Sequence, residues 1–428
     1  MKILRFDAPS FPRDFARLNR RSAPSPAIQS AVQDILQAVR RGGDAALLRL
    51  AKKFGGPALR PDQMRVTEPE IEKAMRSLAS DVHEAIDTAR RNVAAFASRS
   101  LRKDWTMRNA QGVRVGERFD PFDRVGIYVP GGTAPLVSTA VMTCTLAATA
   151  GVPSIVAVSP AGPDGTLLPE LLAALHLSGA TEIYRVGGAQ AIAALAFGTP
   201  TIAPVRKVFG PGNAYVVEAK RQVFGTVAVD LLPGPSEVFV IADDTAPPEW
   251  IAADLLAQAE HGVGSVAILA TPSESLLSAV QAAMRAQLKG LSRAESLRTA
   301  LKNAVLVLTR DLDQAIALAN DFASEHLTLA IADPASRAGE ITSAGAIFLG
   351  AISPVVGGDF VAGPSHELPT GGAGKSFAGL TVDQFQRRVS VVEFDKRSLA
   401  KSLPTIETFS RVEGLDAHGR SAAIRFET

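Results

Sequence analysis

The sequence predicts an α/β protein built from two related parallel-sheet domains, with small helical extensions at the N- and C-termini. Three observations carry this. From Arg124 short apolar runs alternate with helical stretches, in the strand, helix, strand order of a parallel βαβ unit. The same order returns 112 residues later without gaps: Val125–Val129 corresponds to Glu237–Ile241, Thr133-Ala134-Pro135 to Thr245-Ala246-Pro247, and Ser159-Pro160 to Thr271-Pro272. The 428 residues exceed what one hydrophobic core usually serves, roughly 250–300 residues.

In chain order, Ile28, Val32, Ile35, Leu36 and Val39 recur at helical spacing, and Gly42-Gly43 is expected to stop that helix. A second helical stretch is expected from Glu68 to Phe96. Val125–Val129 and Ser154–Val158 read as strands flanking an Ala-rich helix, followed by strands at Glu182–Val186, Lys207–Phe209, Val305–Leu308 and Ala346–Leu349. Between Leu349 and Leu380, eight glycines and three prolines predict a loop running over the surface or into a site. Thr381–Phe394 and a helix near Pro404–Val412 form a tail too small for its own core, so it must pack on something else, a dimer partner being one candidate. The expected division is an N-terminal extension over 1–24, a discontinuous first domain over 25–127 plus 236–380, a second over 128–235, and a dimerisation tail over 381–428. A repeated βαβ order of this kind is Rossmann-like, and duplication is its simplest source.

Composition excludes several classes. Hydrophobic residues make up 46% and charged residues 21%, the balance of a globular chain with a full core. Lys plus Arg total 45 against 43 Asp plus Glu, so no basic excess calls for nucleic acid or an anionic membrane. A lone Cys144 excludes an internal disulfide and a thiolate metal cluster. The N-terminus lacks a signal peptide's apolar stretch, and no apolar run is long enough to span a bilayer, so the cytoplasm is the expected location.

Six histidines mark where chemistry could sit. His83 and His176 lie in amphipathic helical sequence and read as helix positions without a special role. Gln258-Ala-Glu-His261 ends a helix, and the spacing of three puts Gln258 and His261 on one face, able to share a metal, although such pairs also arise by accident. Glu325-His326 stands at a loop-to-strand junction, where acid–base work is common; a salt bridge at a helix end would look the same. Asp359 and His366 sit in the glycine-rich segment, where backbone can approach a ligand closely. His418 lies in the tail, five residues after Glu413. Nitrogen and oxygen donors without thiolate suit zinc or a neighbouring divalent metal. For a dinucleotide, Gly210-Pro-Gly212-Asn213 supplies only the first two glycines of the G-x-G-x-x-G pattern. Gly187-Gly188-Ala-Gln190 opens a helix whose N–H groups could meet phosphate, as an ordinary strand-to-helix turn also could.

Val125-Gly-Ile-Tyr-Val-Pro-Gly-Gly132, Val186-Gly-Gly-Ala-Gln-Ala-Ile-Ala-Ala-Leu195, Phe209-Gly-Pro-Gly-Asn213, Ala257-Gln-Ala-Glu-His261, Glu325-His-Leu327 and His366-Glu-Leu-Pro-Thr370 occur in the order and approximate spacing of histidinol dehydrogenases. The chain resembles that family from about residue 20 to 425. The resemblance implies a zinc-containing, NAD-dependent oxidation of L-histidinol through L-histidinal to L-histidine, the last steps of histidine biosynthesis. It implies Gln258, His261, Asp359 and His418 as zinc ligands, His418 being lent by the partner subunit of a domain-swapped homodimer. Glu325 and His326 resemble the acid–base pair; Ser236 and Glu413 resemble substrate contacts, joined around the substrate by Gln258, His261, His326, Asp359 and His418, with His366 nearby. Tyr128, Gln190 and Asn213 resemble the NAD contacts. The chain departs from many members at Ser365, where Asn is common, and at Glu367, where an apolar residue is common. Three rivals remain open on the residues: a relative oxidising another polyol or a sulfonated diol, a zinc hydrolase active without NAD, and a metal-binding scaffold without catalysis. Glu413 favours an amino-bearing substrate over the first.

Overall fold

A computed structural model describes residues 1–18, 25–131, 136–262 and 264–427. The chain opens with strand β1 (Lys2–Arg5) and a short helix, Phe11–Ala16. The terminus expected to be a helical extension therefore also supplies an edge strand. The part of the 1–24 extension from 19 to 24 lies outside the described residues, as do Gly132 and the Thr133-Ala134-Pro135 point of the repeat.

Helix Pro26–Lys53 starts under the Ser25 cap, whose side chain accepts the Ile28 N–H. It does not stop at Gly42-Gly43: the chain kinks at Gly43, with φ 50° and ψ −135°, and the helix resumes to Lys53. Glycine allows that backbone, and Pro200 lies 3.1 Å from where its Cβ would stand. The stretch expected from Glu68 to Phe96 is two helices, Glu68–Ser77 and Ser80–Ser100.

Strands β2 (Trp105–Arg108) and β3 (Arg114–Pro121) form a hairpin that the sequence pattern did not predict. Next come β4 (Arg124–Tyr128), β5 (Ser154–Val158), β6 (Glu182–Tyr184), β7 (Lys207–Phe209) and β8 (Ala228–Val229), a wholly parallel sheet in the order β6-β5-β4-β7-β8. Then β9 (Glu237–Ala242), β10 (Val266–Thr271), β11 (Val305–Leu308), β12 (His326–Ala330) and β13 (Ala346–Leu349) join β1 in a second parallel sheet, ordered β1-β11-β10-β9-β12-β13. Leaving β1 aside, both sheets place their strands third, second, first, fourth, fifth. That shared winding accords with two related Rossmann-like units and with duplication.

The inner strands of both sheets are covered on both faces, which is why they read as continuous apolar runs. In β9, Val238, Val240 and Ala242 enter one core and Phe239 and Ile241 the opposite one, following the two-residue period of a strand. In β4, Val125 and Ile127 face one core and Tyr128 the other. Gly126 leaves room for Leu195, whose methyl carbons lie 2.9 Å from where a Cβ would stand.

The expected grouping of 25–127 with 236–380 does not match this packing. Val32, Ile35, Leu36, Val39, Leu47 and Leu50 pack in one core with Tyr128, Val156 and Val208, and Ile71, Ile86 and Val93 pack with Val125, Ile127 and Ile155. The N-terminal helices therefore cover the five-stranded sheet, which itself begins at Arg124, ahead of the expected start at 128. Amphipathic spacing shows that a helix has an apolar face but not which sheet that face meets.

Strand β14 (Gln386–Glu393) pairs antiparallel with β3, giving the order β14-β3-β2. Phe385, just before it, stacks on Phe209 at 3.9 Å and so ties the tail to β7. Helices Lys396–Glu413 and Asp416–Ala423 follow, the first longer than expected because Pro404 lies inside it. Their surface exposes Phe409, Val412, Leu415 and Ile424. No helix among the described residues is long and apolar enough to cross a membrane.

Candidate active site

The chemistry gathers where β9 and β12 begin. Strand β12 starts at His326, paired with Val238 of β9, so Glu325 and His326 lie beside Ser236 and Glu237 at the amino ends of these neighbouring strands. Glu325 Oε2 accepts the Ser236 hydroxyl at 2.5 Å and the Glu237 N–H at 2.9 Å. His326 Nδ1 lies 3.2 Å from the Glu237 carbonyl, which can only accept, so Nδ1 carries the proton. Nε2 is then a free lone pair; it is buried, has no hydrogen-bond partner among the described residues, and lies 3.6 Å from Asp359 Oδ1.

Burial shapes both titrations. It pushes the Glu325 carboxyl up to about 8, against the Ser236 and Glu237 hydrogen bonds that pull it down, while the charges of Asp359 and Glu367 raise it further. It also holds the His326 imidazole below its ordinary value, although Asp359 pulls the other way. A carboxyl raised toward neutrality beside a histidine kept neutral is an acid–base couple suited to ordinary pH.

Asp359 and His366 come from the glycine-rich segment, which contains a short helix, Val355–Phe360, where a loop alone was expected. His366 Nδ1 lies 2.9 Å from the Asp359 carbonyl, and its Nε2 lies 3.5 Å from Glu367 Oε1 and 3.4 Å from Thr139 Oγ1. Burial works against charge on His366, but Glu367 outweighs it and lifts the imidazole to about 9. Glu367, one of the two departures from the family pattern, is itself buried and accepts from Thr139 at 3.3 Å. The other, Ser365, accepts the Glu367 N–H.

Gln258 and His261 lie at the end of helix Pro248–Ala259. Gln258 is buried and its Nε2 has no hydrogen-bond partner among the described residues. His261 is held below its ordinary value by desolvation, against the charge of Asp359, which pulls it up. Helix Val355–Phe360, which carries Asp359, packs against helix Pro248–Ala259, which carries Gln258 and leads to His261, and the three offer amide oxygen, imidazole and carboxylate donors of the kind zinc takes. The described residues contain no group of three or more His, Cys, Asp or Glu placed to hold a metal ion. His418 and Glu413 are exposed on the C-terminal helices, and neither side chain makes a hydrogen bond or ion pair with Gln258, His261, Glu325, His326 or Asp359. Of the expected ligand set, Gln258, His261 and Asp359 belong to two helices that pack together and His418 lies on the exposed tail.

A cavity of about 810 Å³ opens beyond the carboxyl ends of β4 and β6, where open parallel sheets bind ligands. Tyr128, Gln190 and Asn213 all line it. The helices Gly188–Phe197 and Ala214–Val223 begin at its wall, presenting N-terminal N–H groups. The Gly188 N–H donates to Tyr128 Oη at 3.1 Å, and Asn213 Oδ1 accepts from Tyr215 and Val216, capping the second helix. Asn213→Ala should lower the free energy of unfolding by about 1 kcal/mol through loss of this cap, read as a lower urea midpoint at constant m-value.

Three polar contributors were not legible in the sequence. Glu237 aligns His326 through its carbonyl and accepts the Gly371 N–H on its carboxylate, Thr139 reaches the His366–Glu367 pair, and Thr370 accepts the Gly234 N–H. Each acts on residues far away along the chain, from positions that otherwise read as strand, helix or loop. Only Glu237, a charged residue opening an apolar run, left a signal.

This fold with this site defines an α/β oxidoreductase. The family model described as histidinol dehydrogenase matches residues 18–426. The chain is 46% identical to a histidinol dehydrogenase of Rhizobium meliloti over 97% of this chain and 96% of that one. It is 45% identical to one of Geobacillus kaustophilus over 93% of each. The crystal structure of histidinol dehydrogenase from Elizabethkingia anophelis matches with a TM-score of 0.95 at 34% identity, covering 100% of this chain and 98% of that one. The chain belongs to the histidinol dehydrogenase family.

Proposed function

We propose that the protein oxidises L-histidinol through L-histidinal to L-histidine in two successive hydride transfers, using NAD and one zinc ion per subunit. The observation that carries this reading is the buried Glu325–His326 couple, with a bare His326 Nε2 beside Asp359. When bound, zinc would orient the imidazole and amine of the substrate, and NAD would accept the hydride. Gln258, His261 and Asp359 would hold the metal, and the unpartnered Gln258 amide and His326 Nε2 fit a site meant for further ligands. Tyr128, Gln190 and Asn213 would contact the dinucleotide.

The chain's own residues then divide the proton work. Nδ1–H on the Glu237 carbonyl leaves Nε2 of His326 to take the hydroxyl proton as hydride leaves the carbinol carbon. The second oxidation needs the hydrated aldehyde, so a base must deprotonate water at the same carbon. Glu325 suits that role, because Ser236 and Glu237 fix its Oε2 and burial gives it a proton affinity near neutrality. Glu413 would accept a hydrogen bond from the substrate's amino group.

A steady-state assay with L-histidinol and NAD tests the reading. Two NADH should form per histidinol consumed, activity should vanish on exhaustive chelation, and Zn²⁺ should restore it. One NADH per substrate, or turnover without NAD, would refute it.

His418 and Glu413 would reach the site from the partner of a domain-swapped homodimer in the cytoplasm. Their lack of any bond to the other site residues and the apolar surface of their helices support this reading. Mixing His326→Asn with His418→Ala chains should then restore activity, because one site of each heterodimer pairs an intact body with an intact tail. Inactive mixtures with confirmed subunit exchange would show that each chain completes its own site.

A further inference from the structure

Lys220 and Asp230 form an ion pair inside the protein, with side chains 0% and 3% exposed. Neither bonds to Glu325, His326 or Asp359, and no step above uses them. Between them they grip both backbone polar groups of one residue, in the two peptide units that flank its Cα. Lys220 Nζ donates to the Gly210 carbonyl at 2.8 Å, and Asp230 Oδ2 accepts the Gly210 N–H at 2.7 Å. Gly210 is the residue at which the chain leaves β7 and turns toward Asn213.

The position is confined in other ways. Gly210 has φ +107°, and a Cβ there would stand 2.1 Å from the Tyr128 carbonyl. Tyr128 in turn receives the Gly188 N–H on its hydroxyl. Gly210 thus abuts the residue at the end of β4, lies three residues before Asn213, and is one step removed from the turn that opens the Gln190 helix. These are the elements around the 810 Å³ cavity.

Stability alone is a poor account of such a pair. Stripping water from two charges costs so much that apolar replacements of similar volume are often neutral or stabilising. An apolar pair, however, could not hold both the N–H and the C=O of Gly210. We infer that Lys220 and Asp230 are positioning residues for the dinucleotide: they fix the backbone on both sides of Gly210 and thereby set Tyr128 and Asn213 at the cavity wall. The inference rests on the reading that NAD occupies this cavity.

The test is a double variant, Lys220→Met with Asp230→Asn, in the full-length zinc-loaded protein. It removes both charges together and keeps an oxygen for the Gly210 N–H. Calorimetric titration with NAD should show Kd raised about tenfold or more, as small misplacements of a binding group typically cause. The KM for L-histidinol at saturating NAD should stay unchanged. An unaltered NAD affinity, or an equal loss of affinity for NAD and L-histidinol, would overturn the inference, whatever happens to thermal stability. Should the double variant fail to fold, Asp230→Asn alone is read by the same two measurements and the same criterion. Gln190→Ala separates the role of the cavity from the role of the ion pair. If it leaves NAD affinity intact, the cavity assignment is wrong and the inference falls with it; if it weakens NAD while the double variant does not, only the Lys220–Asp230 role is refuted.

Discussion

Replacing His326 with Asn should lower the rate of hydride transfer by about two to four orders of magnitude, the usual cost of losing a general base, while metal content stays at the wild-type level. Asn matches the part of the ring that bonds the Glu237 carbonyl but offers no basic nitrogen where Nε2 stood. Single-turnover NADH formation reads the rate, and metal analysis of the same sample reads the content. Zinc lost together with activity would make His326 a ligand rather than a base, the alternative use of a bare nitrogen 3.6 Å from Asp359.

Glu325→Gln should slow the oxidation of L-histidinal far more than that of L-histidinol, by about two to four orders against a minor change. Gln can still accept from Ser236 and Glu237, so the geometry survives and only the base is lost. The sign of the pH dependence follows from burial. The carboxyl's proton affinity is raised, to about 8, so the active carboxylate is scarce at low pH and grows as pH rises. The aldehyde-oxidising step should therefore accelerate with pH, with a midpoint well above the ordinary carboxylate range, and level off beyond it. The Gln variant should lose that limb. Equal losses in both half-reactions, or a limb that persists in the variant, would remove Glu325 from the water-activating role.

Much of the fold and site was legible in the residues. The strands at Lys207–Phe209 and Val305–Leu308 stand where their apolar runs do, because a parallel strand buried within its sheet announces itself by composition, and Ala346–Leu349 stands at its apolar run too, although Ile347 and Leu349 are exposed at the sheet edge. The hairpin of β2 and β3 did not, because its exposed, mixed residues carry neither a strand's alternation nor a buried run. Tyr128, Gln190 and Asn213 stood out through the family motifs, and they line one cavity. The Lys220–Asp230 pair was invisible, since a lysine on an amphipathic helix and an aspartate after a short strand both look like surface residues.

By itself the sequence determined which residue types exist to do chemistry and how the strands and helices alternate, because burial and backbone preference act over a few neighbouring residues and leave a local pattern. It also carried the family's motifs, whose order survives along the chain. Only the tertiary structure decided which sheet the N-terminal helices cover, that His326 lends its Nδ1 proton to Glu237, and that the helix carrying Asp359 packs on the helix carrying Gln258 while His418 stays exposed on the tail. Those outcomes depend on contacts between segments far apart in sequence, which are set by how whole faces pack and leave no mark in the residues beside them.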